Sequence, residues 1–233
     1  MNQALELIAM HGWCGDSRSW EPWQPLWQQR GWQWSCGERG YGCRPPQQPR
    51  WQLPGATKVV IAHSLGPHLL NQEVMAAADA VVLLTSFGRF VPEGPAGRRV
   101  RTALSGMAAE LAGPDPNGML LSFLQQVAAP ASADALQASP ACEPIPPEGL
   151  ARLQQDLQLI SDCAGLPPGF PGGARVLLLQ AGADQIVVPE ARELLEQALP
   201  QADVLTLASA GHGLIGTPTL ALVTTWMEAL EQR

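Results

Sequence analysis

Short apolar runs alternate with longer stretches in which apolar residues recur at helical spacing. Leu5 to Met10 runs into His11-Gly12 and reads as a buried strand entering a loop. Lys58 to His63 is β-branched and apolar, and it breaks at Ser64-Leu65-Gly66. Ala80 to Thr85, Arg175 to Gln180 and Val204 to Leu207 read as three more strands, and Trp32 to Cys36 as a weaker one. Helices are predicted from about Pro67 to Ala77, Glu190 to Ala198 and Thr219 to Glu231, each with a proline near its start. Strands alternating with helices predict an α/β fold, a mostly parallel sheet with flanking helices.

Residues 88–165 interrupt that alternation. They hold no strand-like run, only helical patches at Val100–Leu111, Leu120–Val127 and Leu150–Cys163 between loops rich in Pro, Gly and Ala. The expected organisation is a core of residues 1–87 and 166–233 with a helical insertion, 88–165, between two strands. Arg44–Pro54 and Ala128–Pro147 read as loops.

Composition narrows the class. In 233 residues, 46% are hydrophobic and 15% charged, enough to bury a core and unlike a disordered chain. No apolar run approaches the roughly 20 residues of a membrane-spanning helix. Net charge is −7, which disfavours nucleic acid and anionic membranes as partners. The tight basic cluster Arg98, Arg99 and Arg101 reads either as a solvated helix start or as a docking patch. The five cysteines (Cys14, Cys36, Cys43, Cys142, Cys163) form no CxxC pair, and no metal site is evident. With no signal-peptide pattern at the start, a cytoplasmic location with reduced thiols is expected. Seven of the eight tryptophans lie in the first 51 residues. Trp20, Trp23 and Trp27 should share a packed helix face. Trp32 and Trp34 are expected on opposite sides of the sheet, and Trp51 has no evident role.

Candidate chemistry centres on Ala62-His63-Ser64-Leu65-Gly66, at a strand-to-helix junction. A serine hydroxyl is a poor nucleophile unless a sharp turn presents it to a base. Small residues two before and two after it let strand and helix approach; Ala62 stands where a glycine is usual. The helix N-terminus beneath Ser64 would favour developing negative charge. Asp184, in the loop after a late strand, can orient an imidazole, and His212, between Gly211 and Gly213, can reach into a cleft as the base. The backbone N–H groups of Trp13, after His11-Gly12, and of Leu65 are the expected oxyanion donors. His11, His63 and His68 read as structural, with the His63 ring directed away from the serine.

The chain order Ser64, Asp184, His212 resembles that of α/β-hydrolases. The stretch His11-Gly12-Trp13-Cys14-Gly15-Asp16-Ser17-Arg18-Ser19-Trp20, the serine elbow, and Gly182-Ala183-Asp184 through Pro189 resemble the esterases that demethylate pimeloyl-acyl-carrier-protein methyl ester in biotin synthesis (BioH and BioK types). That resemblance implies a serine carboxylesterase without a cofactor, monomeric, acting on an acyl group borne by an acyl-carrier protein. It implies that the insertion is a helical cap and that Phe123, in Leu121-Ser122-Phe123-Leu124, touches the acyl chain beside Trp13. The family's arginines next to that phenylalanine are missing; only Arg98, Arg99 and Arg101 could dock the carrier. The N-terminal hairpin common in this fold is expected to be reduced or absent. A general short-chain carboxylesterase or thioesterase, a lyase of similar fold, and a non-catalytic binding module are the competing readings.

Overall fold

The computed structural model describes residues 4–136, 139–142 and 144–231. Six strands form one parallel sheet: β1 (Leu5–Met10), β2 (Gln33–Cys36), β3 (Thr57–His63), β4 (Ala80–Leu84), β5 (Arg175–Ala181) and β6 (Asp203–Leu207). Their order across the sheet is β2-β1-β3-β4-β5-β6. Every residue of β1 and β4 is buried, as expected when helices cover both faces of a parallel sheet. Alternate residues serve the two layers: Leu5, Leu7 and Ala9 face one core, Ile8 and Met10 the other.

The chain leaves β1 toward β2 and then crosses back to β3 on the other side of β1. Strand order therefore reverses between β1 and β3, and a crevice opens outside their carboxyl ends. His11-Gly12-Trp13 and Ser64 lie in those two carboxyl-end loops. Topology alone brings them together.

One layer is built on α1 (Gln24–Gln29) and α8 (Thr219–Glu231), through Trp27, Val223 and Met227. Trp20, Trp23 and Trp27 form a ring ladder with centroids 5.4 and 5.3 Å apart. Trp34 extends it, 5.7 Å from Trp27. Trp32, just before β2, and Trp34, within it, both pack into this same layer rather than on opposite faces. Trp51 does have a role: it packs against the other core, and its indole N–H donates to the Val74 carbonyl at 3.0 Å.

The other layer holds α2 (Gly66–Leu69), α3 (Gln72–Ala76) and α7 (Pro189–Ala198). The single helix expected from Pro67 to Ala77 is broken at Leu70, which is extended (ψ 147°). Gln48 stabilises the break from both sides. Its amide N–H donates to the Leu69 carbonyl at 2.9 Å, and its oxygen accepts the Asn71 N–H at 3.3 Å.

Between β4 and β5 the chain forms α4 (Gly94–Leu111), α5 (Pro116–Ala128) and α6 (Pro147–Asp162), with short 3-10 turns at Ala133–Ala135 and Pro140–Cys142. Among the described residues this segment holds no strand. An antiparallel bridge between Arg89 and Ala164 joins its departing and returning ends. Leu104, Leu120, Leu153 and Leu157 tie the three helices to the second core. Cys36 and Cys163 are free thiols; the Cys142 side chain lies outside the described residues. Burial pushes the Cys163 thiol up to about 12, so it is no nucleophile. Among the described residues, no helix is long and apolar enough to cross a membrane.

Candidate functional site

Ser64 follows β3 directly and sits at φ 53°, in the left-handed region that side-chain-bearing residues avoid. Holding it there costs about 1–3 kcal/mol. The surroundings over-determine the turn. The Ser64 N–H donates to the Leu84 carbonyl at 2.9 Å, and Ser86 Oγ donates to the Ser64 carbonyl at 2.6 Å. Gly66 is required for close approach, since a Cβ there would lie 2.5 Å from the Met10 carbonyl oxygen. Gly12 is equally confined: its Cβ would fall 2.8 Å from the Ser64 Cβ. The helix beneath Ser64 is only four residues long, so it supplies one turn of aligned dipoles rather than the helix expected from the sequence.

Asp184 and His212 meet as expected, with Nδ1 and Oδ2 2.9 Å apart and both side chains out of solvent. The other Asp184 oxygen accepts the Ile186 and Val187 N–H groups at 2.7 and 3.0 Å, which fixes the carboxylate plane. Burial would raise the Asp184 pKa, but His212 and these two N–H groups outweigh it and hold the group below its usual value. An ionised, oriented carboxylate keeps the imidazole proton on Nδ1, leaving Nε2 as the acceptor.

His212 is placed by Thr85, which the sequence did not single out, and by His63, expected there to point away. Its carbonyl accepts from Thr85 Oγ1 at 2.9 Å and from His63 Nε2 at 3.1 Å. The His63 ring therefore does not point away; it lies 5.0 Å from the His212 ring and lines the same cavity as Ser64. Donation from His63 Nε2 places a ring proton on that nitrogen. Burial, then the neighbouring His212, lowers its pKa to about 4.

That shift has a stability consequence. The unfolded histidine titrates near 6.5, so between that pH and about 4 the unfolded chain binds a proton that the folded chain refuses. Stability is lost as pH falls through this window, by at most about 3 kcal/mol, less what the cavity-facing ring edge recovers. His63→Gln keeps a donor and removes the titration. In melting curves between about pH 7 and pH 4.5, the wild type should lose more Tm than the variant. Equal losses would discount His63.

His11 holds the first loop, as expected. Its Nδ1–H donates to the Gly12 carbonyl at 2.8 Å, and its Nε2 accepts the Arg39 N–H at 3.1 Å. Among the described residues, neither the Trp13 nor the Leu65 N–H meets an acceptor. His68 is structural: its Nε2 donates to the Phe87 carbonyl at 3.0 Å, and its ring stacks on Phe87.

Ser64, His212 and Trp13 line one cavity of about 340 Å³, at the small end of ligand pockets. Phe123 of α5 forms its wall edge-on to Trp13, with ring centroids 4.9 Å apart. Leu124, Val127 and Leu136 continue that wall. Among the described residues the lining includes no Lys, Arg, Asp or Glu. Arg98, Arg99 and Arg101 lie exposed on α4, outside the lining. Among the described residues, no cluster of His, Cys, Asp and Glu could hold a metal ion.

No family model matches the chain, and no curated protein matches it. Solved structures do. A thermophilic esterase from Thermogutta terrifontis is 14% identical, over 99% of this chain and 92% of its own, with a TM-score of 0.65. An alpha/beta hydrolase fold protein from Burkholderia ambifaria is 17% identical, over 98% of this chain and 92% of its own, with a TM-score of 0.66. ClbQ from the colibactin NRPS/PKS pathway is 12% identical, over 98% of this chain and 99% of its own, with a TM-score of 0.65. At such identities the likeness establishes the fold, which is that of the α/β-hydrolases.

Proposed function

We propose that this chain is a serine hydrolase acting on uncharged carboxylic esters. The observation that carries the reading is one cavity containing a strained serine and a histidine whose Nδ1 is bonded to a buried carboxylate. His212 Nε2 takes the Ser64 proton as Oγ bonds to the ester carbon. The oxyanion then lies on the Trp13 and Leu65 N–H groups, which meet no other acceptor among the described residues. His212 returns the proton to the departing alcohol, and the ester C–O bond breaks. Water attacks the acyl-enzyme by the same route and restores Ser64.

We read α4 to α6, residues 88–165, as a cap over the site. Phe123 and Leu124 in the cavity wall support this. So does the Trp13 indole, which donates to the Leu153 carbonyl of α6 at 2.9 Å. A lining with no Lys, Arg, Asp or Glu among the described residues favours neutral acyl groups, since an unpaired carboxylate would lose its water shell for nothing. Dimethyl pimelate should therefore be demethylated with a kcat/KM at least about tenfold above that of monomethyl pimelate. Methanol release measures both. Equal rates, or preference for the free acid, would defeat the neutral-substrate reading.

The finer proposal is that the natural ester is the methyl ester of carrier-bound pimelate. Its reactive end is uncharged, and its distal end leaves toward the carrier. The motif resemblance carries it, with Arg98, Arg99 and Arg101 as exposed cations for an acidic carrier. The test is growth without biotin of a bacterium lacking its own pimeloyl-ester esterase. No growth with soluble protein present would remove the finer proposal and leave the ester hydrolase.

A further inference from the structure

We propose that Asp156, on α6 and far from Ser64 in sequence, is a positioning residue that sets the orientation of the Trp13 peptide. The proposal deepens the reading above, since it concerns the N–H assigned there to the oxyanion.

Asp156 is 1% exposed, and both its oxygens are used. Arg39 grips it as a fork, Nε to Oδ2 at 2.6 Å and Nη2 to Oδ1 at 2.8 Å. The Tyr41 hydroxyl donates to Oδ2 at 2.7 Å. A bidentate pair fixes direction as well as distance. Arg39 is thereby anchored, and its backbone N–H donates to His11 Nε2. Since Nε2 accepts, the ring proton sits on Nδ1, which donates to the Gly12 carbonyl at 2.8 Å.

The last link is geometric. The Gly12 carbonyl and the Trp13 N–H belong to one planar peptide unit and point in opposite directions. Pinning the Gly12 oxygen therefore aims the Trp13 N–H. Gly15 adds a second bond to that oxygen at 3.2 Å. Glu38 steadies the intervening turn by accepting the Ser17 and Gly40 N–H groups at 2.9 and 2.8 Å. Leu153, one turn before Asp156 on the same helix face, accepts the Trp13 indole N–H. Thus α6 holds the loop at both its side chain and its peptide plane.

Asp156→Asn removes the ionic fork. With p-nitrophenyl butyrate, kcat should fall by about tenfold or more while KM stays within about twofold, because the donor acts on charge that develops after binding. Amide exchange of residues 11–15 should be faster than in the wild type, with β3 and β4 unchanged. Unchanged exchange in 11–15, or a loss confined to KM, would overturn the proposal. The single variant leaves Arg39 unpaired and could unfold the chain for that reason alone. The triple variant Arg39→Met/Tyr41→Phe/Asp156→Leu removes every partner together and should fold with the same loss of kcat. Wild-type kcat in the triple variant would show that an unpaired charge, not a lost tether, caused the defect. Should the wild type hydrolyse no ester, the oxyanion reading falls, whereas the exchange data still decide whether Asp156 holds the loop.

Discussion

Ser64→Ala should lower kcat/KM for p-nitrophenyl butyrate by about a millionfold, to the level left by binding and the oxyanion donors alone. The alanine keeps the Cβ, so the packing against Gly12 survives while the attacking oxygen is gone. His212→Ala should cost about as much, and the double variant little more, because the two groups act as one unit. Asp184→Asn is the sharper test. One Asp184 oxygen is committed to the Ile186 and Val187 N–H groups, so an asparagine must keep its oxygen there and turn its NH2 toward His212. The imidazole proton is then forced onto Nε2, the atom that must accept from Ser64. A loss of about ten-thousandfold is expected with the fold intact. Retention of more than about 1% of activity by Ser64→Ala would end the nucleophile assignment. A change under about tenfold in Asp184→Asn would end the orienting role of the carboxylate.

The central strands were legible because a parallel sheet covered on both faces demands continuous apolar runs, and Val59–Ala62 and Ala80–Leu84 are such runs, whereas the edge strands β2 and β6, exposed or half-buried, are not. Ser64, Asp184 and His212 were legible for a different reason. Each follows a strand and sits among turn-forming residues, so local pattern alone points to it. What escaped the sequence depends on contacts across the fold. Arg39 and Asp156 are 117 residues apart, and neither lies in a motif. Thr85 and Ser86 carry no signal beyond following β4, yet their hydroxyls hold the His212 and Ser64 carbonyls. The His63 side chain lies on the Val59 and Ile61 side of β3, and only the path of the loop after β6 puts His212 there. Trp32 and Trp34 are another matter: in a strand from Trp32 to Cys36, the period of two already places them on one face.

The glycines around His212 do something other than free its ring, and this sets the second large prediction. His212 is 1% exposed, packed rather than loose. A Cβ on Gly211 would overlap the Ala129 carbonyl oxygen just beyond α5, and the Gly213 N–H donates to the Val127 carbonyl at 2.9 Å. The end of α5 thus lies directly on the histidine loop. A backbone carbonyl cannot swing aside as a side chain can, so Gly211→Ala must displace α5, the histidine loop or both. Overpacking of this kind costs about 3 kcal/mol, which for a chain of this size lowers Tm by roughly 6–12 °C. Displacing His212 from Ser64 by about an ångström should lower kcat about a hundredfold as well. Gly213→Ala offers the comparison. Its Cβ would lie 3.2 Å from Leu136 Cδ2 and from the Val127 oxygen, so shifts of a few tenths of an ångström suffice. The expected ranking, in Tm and in kcat alike, is wild type, then Gly213→Ala, then Gly211→Ala far below. If Gly211→Ala melted and turned over like the wild type, α5 could not be what locks the histidine in place.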